Sequence, residues 1–186
     1  MEYQIVIAGF GGQGVLFAGK VLAYAGLMER RELSWLPSYG PEMRGGTANC
    51  NVILSDTPVG SPIVQKPNVL IVMNNPSLKK YEDTVVPGGR IFVDSSMVSG
   101  KVERTDVEVF YIPATQLAIA VGAPNLANMV LLGTVTTKTG CIRQDTMEKA
   151  LQKVIPPRKA NLFDVNMQAV NAGVDFITGK NIEILR

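Results

Sequence analysis

A glycine-rich loop near the amino terminus constrains the fold more than any other feature of this sequence. Gly9, Gly11 and Gly14 follow the apolar, strand-like run Tyr3–Ala8 and precede a helical pattern that starts at Val15. A strand, a glycine turn and a helix in this order present free backbone N–H groups and a helix N-terminus, which favour an anion. The loop therefore predicts an α/β unit with a phosphate site. Its candidate cofactor contacts are Gly9, Gly11, Gly12, Gln13 and Gly14.

The same glycines can instead form a purely structural turn or contact another subunit, and both alternatives stay open. A dinucleotide-binding fold also needs an acidic residue about 20 residues after the glycines to hold the ribose. Ser34 and Trp35 fall near that position, and Glu32 comes before the second strand rather than after it. The missing ribose anchor argues against NAD as the ligand.

Strand-like and helical segments alternate along the rest of the chain. This alternation predicts a three-layer α/β/α fold with a largely parallel, Rossmann-like sheet. A second strand is expected at Leu33–Leu36, ended by Pro37, and the alternating run Thr47–Ser55 is expected to form a strand with one polar face. A chain of 186 residues suits one core, so residues 1–186 are predicted to form a single domain.

The segment from Asn125 to Thr137 is apolar almost all round its helical projection, which predicts a helix buried on several sides. Asn125 and Asn128 stand at its start. They can cap the helix, make a buried hydrogen bond or contribute to a subunit interface.

Composition excludes several kinds of site. With 18 Lys+Arg, 16 Asp+Glu and a net charge of +2, the chain lacks the basic field that attracts nucleic acid. It has no histidine and only two cysteines, Cys50 and Cys141, so we expect no zinc site and no iron–sulfur cluster on this chain alone. The absence of histidine also removes the commonest general base. We therefore assign it no catalytic residue and no metal ligand.

The apolar runs are short. None reaches the roughly 18 residues that a membrane-spanning helix requires, and the chain begins with a strand-like segment rather than a basic region followed by an apolar stretch. We expect a cytoplasmic protein with no membrane partner.

A second cluster of unusual residues lies in "SYGPEMRGGTANCNV", from Ser38 to Val52. Its loop is expected to leave the carboxyl end of a strand, at the same sheet edge as the glycine loop, where such sheets bind ligands. A guanidinium next to two glycines can bind an anion. An equal alternative is that Arg44 caps backbone carbonyls or pairs with Glu42. The candidate contacts in this cluster are Tyr39, Arg44, Gly45 and Gly46.

Together, "GFGGQGVLFAGKVLAYAG" and "PSYGPEMRGGTANCNVILSDTPVGSPIV" resemble the gamma subunit, or gamma domain, of the 2-oxoacid:ferredoxin (or acceptor) oxidoreductases. The likeness continues through "VVPGGRIFVDSS" and "NLANMVLLG" and so covers essentially the whole chain. It implies the fold of the pyruvate:ferredoxin oxidoreductase gamma domain. It also implies a subunit of an enzyme that decarboxylates a 2-oxoacid, joins the acyl group to coenzyme A and passes two electrons to ferredoxin.

The resemblance implies that thiamine diphosphate, Mg²⁺ and the iron–sulfur clusters are held by alpha, beta and delta partners, the last ferredoxin-like. In agreement, "MNNPS" is not preceded by the G-D-G of a thiamine diphosphate motif. By position, the two loops are expected to contact coenzyme A or, equally, the thiamine-binding subunits. The residues of the two motifs are most similar to those of the 2-oxoglutarate branch of the family, and branched-chain oxoacid and pyruvate enzymes are the alternatives.

Two hypotheses of different classes remain. The chain can be a free-standing NAD(P)-dependent dehydrogenase, with Lys or Tyr as proton donor, or a scaffold whose glycine loops only pack against sister subunits. In the preferred interpretation the isolated chain has no turnover.

Overall fold

A six-stranded sheet forms the centre of the fold. The computed structural model describes residues 1–38 and 47–180. The strands are β1 (Glu2–Phe10), β2 (Glu32–Ser38), β3 (Thr47–Ser55), β4 (Val69–Val72), β5 (Arg90–Asp94) and β6 (Glu108–Ile112). Their order across the sheet is β2-β3-β1-β4-β5-β6. β3 runs antiparallel to both of its neighbours, and the other neighbouring pairs are parallel. The prediction of a largely parallel α/β sheet is therefore confirmed, with β3 as the exception.

The second strand is longer than predicted. It begins at Glu32 and continues through Pro37 to Ser38, whereas the sequence predicts that it ends at Pro37. The difference has a simple cause: β2 lies at the sheet edge, where one side of the backbone has no partner strand and the missing N–H of proline is tolerated.

Helices cover the two faces of the sheet unequally. They are α1 (Val15–Met28), α2 (Asn75–Tyr81), α3 (Ala114–Ala120), α4 (Ala127–Thr139), α5 (Gln144–Val154) and α6 (Leu162–Thr178). The main core lies on the face of Ile5 and Ile7, where α1 and α4 pack with α3, α5 and α6. On the opposite face, Val6 and its neighbours are covered by α2 and by loop residues such as Val64 and Val98.

Helices α4 and α6 approach each other at two glycines. A Cβ atom on Gly133 would overlap the backbone carbonyl of Val170, and one on Gly173 would overlap that of Val130. The hydroxyl of Thr134 donates to Val130 O (3.1 Å) within this contact. The absence of two side chains is thus what allows the two backbones to touch.

The carboxyl edge of the sheet gathers the segments of interest. β1 ends there at Phe10, β4 at Val72 and β5 at Asp94. Because β2 points the same way as β1, its last residues lie at this edge as well, and the first residue of β3, Thr47, pairs with Phe10. The glycine loop therefore lies at the same sheet edge as Ser38 and Thr47, the described residues on either side of segment 39–46. The predicted proximity of the two clusters themselves stays a prediction.

Candidate functional site

Two glycines give the glycine loop its path between β1 and α1. Gly12 has φ 97° and Gly14 has φ 75°, in the left-handed region where side chains are strained. Around Gly12 there is open space, so only its backbone conformation calls for glycine. At Gly14 a Cβ atom would also collide with the side chain of Asn128. Gly9 is buried at the end of β1, where a Cβ would lie 3.0 Å from Met73 Cβ, whereas Gly11 is exposed.

Gln13 closes the loop onto two strands. Its Oε1 accepts a hydrogen bond from Phe10 N (2.6 Å), and its Nε2 donates to Met73 O (3.0 Å) at the end of β4. The backbone N–H of Gln13 donates in turn to Phe10 O (3.2 Å). A cofactor contact at Gln13 stays a prediction. Its amide group is used inside the protein to hold the loop.

Asn128 ties the loop to the start of α4. Its Nδ2 donates to Gly14 O at 3.0 Å, while its Oδ1 is buried and has no hydrogen-bond partner among the residues that the structure describes. Of the alternatives for this residue, the buried hydrogen bond is observed, and a role in a subunit interface stays a prediction. Asn125 does not cap the helix: α4 begins at Ala127, two residues after the predicted start, with Leu126 at the N-cap position.

Helix α1 presents donors at the same place. Its first internal hydrogen bond runs from Ala18 N to Gly14 O (3.0 Å). The three N–H groups before it, those of residues 15–17, have no acceptor within the helix. With the partial positive charge of a 14-residue helix behind them, these groups create a favourable electrostatic environment for an anion beside Gly14.

Two pockets flank the loop. The edge pocket, of about 180 Å³, is lined by Gly12, Gln13, Met73, Met97, Thr115, Pro124, Asn125 and Ala127. It lies at the carboxyl ends of β1 and β4, where open α/β sheets bind ligands. The helix pocket, of about 430 Å³, is lined by Gly14, Phe17, Lys20, Asn125, Leu126, Asn128, Leu162, Asn166 and residues 154–156 and 158–159. Asn125 lines both pockets and therefore lies between them.

A polar pair at the end of β5 supports the edge pocket. Thr115 Oγ1 donates to Asp94 Oδ2 (2.6 Å), and Asp94 Oδ1 accepts from the backbone N–H groups of Ser96 (3.1 Å) and Thr115 (3.3 Å). Asp94 is fully buried. Sequence reasoning missed both residues, because the signal, an aspartate at a strand end followed some 20 residues later by a threonine at a helix start, is too common to be specific.

The predicted contacts Tyr39, Arg44, Gly45 and Gly46 lie outside the described residues. Their roles stay predictions. What the structure gives is the position of the segment's ends: Ser38 pairs with Asn49, and Thr47 pairs with Phe10 next to the glycine loop.

The geometry around β1 does not suit a dinucleotide. In the usual dinucleotide fold the second strand lies parallel and next to the first, and its end carries the ribose-binding acid. Here antiparallel β3 occupies that place and β2 is one strand further away. The strand order is thus a second argument against a dinucleotide ligand, in addition to the missing acidic residue.

The two thiols are structural. Burial raises the pKa of Cys50 to about 12 and the pKa of Cys141 to about 11, so neither is a nucleophile near neutral pH. Within residues 1–38 and 47–180, no three His, Cys, Asp or Glu side chains come together as a metal site. No helix in this part of the chain is long and apolar enough to cross a membrane.

Comparison with known proteins gives a consistent result. The family model described as "Pyruvate ferredoxin/flavodoxin oxidoreductase" matches residues 4–176. The ketoisovalerate oxidoreductase subunit VorA of Methanothermobacter thermautotrophicus is 40% identical over 184 residues, 98% of this chain but 38% of VorA. The 2-oxoglutarate synthase subunit KorC of Methanothermobacter marburgensis is 38% identical over 184 residues, 95% of this chain and 97% of KorC. The chain therefore spans little more than a third of VorA and nearly all of KorC.

Solved structures agree on the fold. The gamma subunit of keto/oxoacid ferredoxin oxidoreductase from Geobacter sulfurreducens has a TM-score of 0.81 at 27% identity, covering 95% of this chain and 99% of that chain. The 2-oxoglutarate:ferredoxin oxidoreductase from Magnetococcus marinus, solved with 2-oxoglutarate, coenzyme A and succinyl-CoA bound, has a TM-score of 0.86 at 21% identity, covering 96% of this chain and 31% of that one. At that identity the second likeness concerns the fold alone.

Proposed function

The chain belongs to the pyruvate ferredoxin/flavodoxin oxidoreductase family, and from this premise we propose that it is the gamma subunit of a 2-oxoglutarate:ferredoxin oxidoreductase complex. The observation that carries the proposal is its end-to-end match with KorC of Methanothermobacter marburgensis, which covers 95% of this chain and 97% of that subunit. The match with VorA is as strong in identity but covers 38% of that protein. A ketoisovalerate enzyme is therefore the second candidate, and a pyruvate enzyme the third.

In the proposed reaction a 2-oxoacid loses CO₂, its acyl carbon forms a thioester with the sulfur of coenzyme A, and two electrons pass to ferredoxin. Thiamine diphosphate with Mg²⁺ supplies the decarboxylation chemistry, and iron–sulfur clusters carry the electrons. The described residues do not fit these groups, because they include two buried thiols and no cluster of metal-binding side chains. We assign these cofactors to alpha, beta and delta partners, and the complex to the cytoplasm.

Coenzyme A does fit this chain. Its phosphates are anions, and the glycine loop offers exposed backbone at Gly11 and Gly12 together with the free N–H groups at the start of α1. Arg44, with Gly45 and Gly46, is the proposed second contact, since Ser38 and Thr47, which flank this segment in the sequence, lie at the same sheet edge. The role of this chain is then to bind and orient the acyl acceptor near the active site of its partners.

Co-purification from the native host tests the proposal. We expect the tagged chain to bring down a complex that contains thiamine diphosphate and iron–sulfur clusters and that reduces ferredoxin only when a 2-oxoacid and coenzyme A are both present. Assays with 2-oxoglutarate, 3-methyl-2-oxobutanoate and pyruvate are expected to give the highest kcat/KM for 2-oxoglutarate. A higher value for the branched-chain acid would favour the second candidate. Tight NADH binding by the chain alone would contradict the proposed function as a subunit of this complex.

A further inference from the structure

The helix pocket has properties of a ligand site that the glycine loop alone does not explain. Its volume of about 430 Å³ is within the range of small-molecule sites. It opens between the first turns of α1, α4 and α6 and the segment that joins α5 to α6, on the far side of Asn125 from the edge pocket. A ligand lying across the glycine loop can therefore reach it.

Two amide side chains in its wall each have an unused oxygen. Asn128 Nδ2 donates to Gly14 O at 3.0 Å, and Asn166 Nδ2 donates to Leu162 O at 2.7 Å. These bonds fix which end of each amide is the oxygen. Both residues are 3% exposed, and neither Oδ1 has a partner within the described part of the chain. A buried acceptor without a partner lowers the stability of the folded chain. Hydrogen bonds from the N–H or O–H groups of a ligand to these oxygens would therefore favour its binding.

Three cations surround the same pocket. Lys20, Arg158 and Lys159 line it, and no aspartate or glutamate does among the described residues. None of the three forms an ion pair within residues 1–38 and 47–180. Lys20 Nζ instead lies 5.8 Å from the centre of the Tyr24 ring. Such a charge distribution fits a ligand with one or more phosphates.

The remaining wall is apolar, with Phe17, Leu126 and Ile155 among its side chains. We propose that the helix pocket binds a nucleoside phosphate whose base carries an amino group, with the base between the apolar side chains, its N–H donors toward Asn128 and Asn166, and its phosphate toward Lys20, Arg158 and Lys159. The ligand has two possible sources. One is the adenosine 3′,5′-bisphosphate end of coenzyme A, a version that rests on the proposed function. The other is a free adenine nucleotide acting as a regulator.

Calorimetric titration of the full chain separates these sources. The probes are coenzyme A, adenosine 3′,5′-bisphosphate, AMP and pantetheine, which lacks the nucleotide. We expect the bisphosphate to bind and pantetheine to bind much more weakly. Displacement of the bisphosphate by coenzyme A, together with weaker binding of AMP, assigns the site to the cofactor's nucleotide end. AMP binding that coenzyme A does not displace assigns it to a free nucleotide.

Variants link binding to this pocket. Asn166→Leu removes one unpartnered oxygen, and Arg158→Gln with Lys159→Gln removes two cations; each is expected to weaken bisphosphate binding about tenfold or more. Their matched controls are Asn171→Leu, exposed on the same helix, and Lys149→Gln with Lys153→Gln, exposed on α5. The controls are expected to bind like the unchanged chain, and melting curves check that all variants are folded.

The same variants in the purified complex keep the two proposals apart. One outcome is that the complex oxidises 2-oxoglutarate, while nucleotide binding and the KM for coenzyme A are unchanged in Asn166→Leu and in the double variant. The pocket proposal is then wrong, and the proposed function as a subunit of the complex stands. Failure to recover any oxoacid-oxidising complex, with nucleotide binding intact in the chain, would instead overturn the proposed function as a subunit of such a complex.

Discussion

At the scale of single residues, Gly12 and Gly14 have the same kind of backbone but different surroundings. Both have positive φ, while a side chain at Gly14 would in addition displace Asn128 from its hydrogen bond. We expect Gly12→Ala to lower the free energy of unfolding by about 1–2 kcal/mol. Gly14→Ala is expected to lower it by about 2–4 kcal/mol, because the steric conflict adds to the backbone cost. Denaturant unfolding measures both, and equal losses would contradict the contact with Asn128.

The amide of Gln13 gives a second prediction. Gln13→Ala leaves Phe10 N and Met73 O without their side-chain partner, so we expect a loss of about 1–3 kcal/mol. Hydrogen exchange should show faster exchange at Phe10 N–H in particular. Gln152→Ala, at an exposed position of α5, is the control and should change neither quantity. An unchanged exchange rate at Phe10 N–H would mean that the loop does not depend on the hydrogen bonds of the Gln13 amide.

Arg44 tests the proposed cofactor contact against the scaffold alternative. If its guanidinium binds a phosphate of coenzyme A, Arg44→Ala should cost roughly 1.5–3 kcal/mol in coenzyme A affinity while the complex still assembles. A scaffold role predicts weaker assembly with the KM for coenzyme A unchanged in whatever complex forms. Gel filtration and steady-state kinetics on the same sample read the two effects separately. Intact assembly together with an unchanged KM would refute both roles.

What the sequence could predict at this scale was local. Strand, glycine turn and helix are adjacent along the chain, so the loop and its need for glycine were visible in the order of residues. Met73, which accepts from the Gln13 amide, is 60 residues from Gln13, and Gly14, which accepts from Asn128, is 114 residues from Asn128. Nothing in the local pattern indicates these two contacts.

At the scale of elements, the contact of α4 with α6 depends on two missing side chains. Alanine in place of glycine normally stabilises a helix by about 1 kcal/mol. We expect the opposite for Gly133→Ala and Gly173→Ala, a loss of about 2–3 kcal/mol each, because the new Cβ would meet a backbone carbonyl of the other helix. Asn171→Ala, exposed on α6, should stabilise slightly. Thermal unfolding compares the three, and a gain for either glycine variant would contradict the close approach.

The course of the sheet was only partly predictable. Alternation of strand-like and helical runs indicated a parallel sheet, and four adjacent strands, β1, β4, β5 and β6, are parallel to one another. The place of β3 between β1 and β2 could not be foreseen, because strand pairing depends on long-range contacts that an alternating pattern does not specify. The edge position of β2, and with it the tolerance for Pro37, follows from the same pairing.

At the scale of the whole molecule, both cysteines report on opening of the main core. Cys50 lies on β3 beneath α1, and Cys141 follows α4, each 1% exposed or less. Since burial raises their pKa values to about 12 and about 11, the reactive thiolate is scarce in the folded chain at about pH 8. We expect a thiol reagent to label neither cysteine in the folded chain and both in denaturant. Rapid labelling before the unfolding transition would show local opening instead.

The ties of the glycine loop have a thermodynamic consequence. Residues 10–14 are held to the end of β4 through Gln13 and to α4 through Asn128, by hydrogen bonds made entirely within the chain. A ligand that lands on the loop then has little ordering to impose on it, so less of its interaction energy is spent on conformational entropy. Such a site selects ligands that fit a fixed shape. If a substitution at Gly14 or Gln13 weakens ligand binding, the loss should appear mainly as a less favourable entropy of binding.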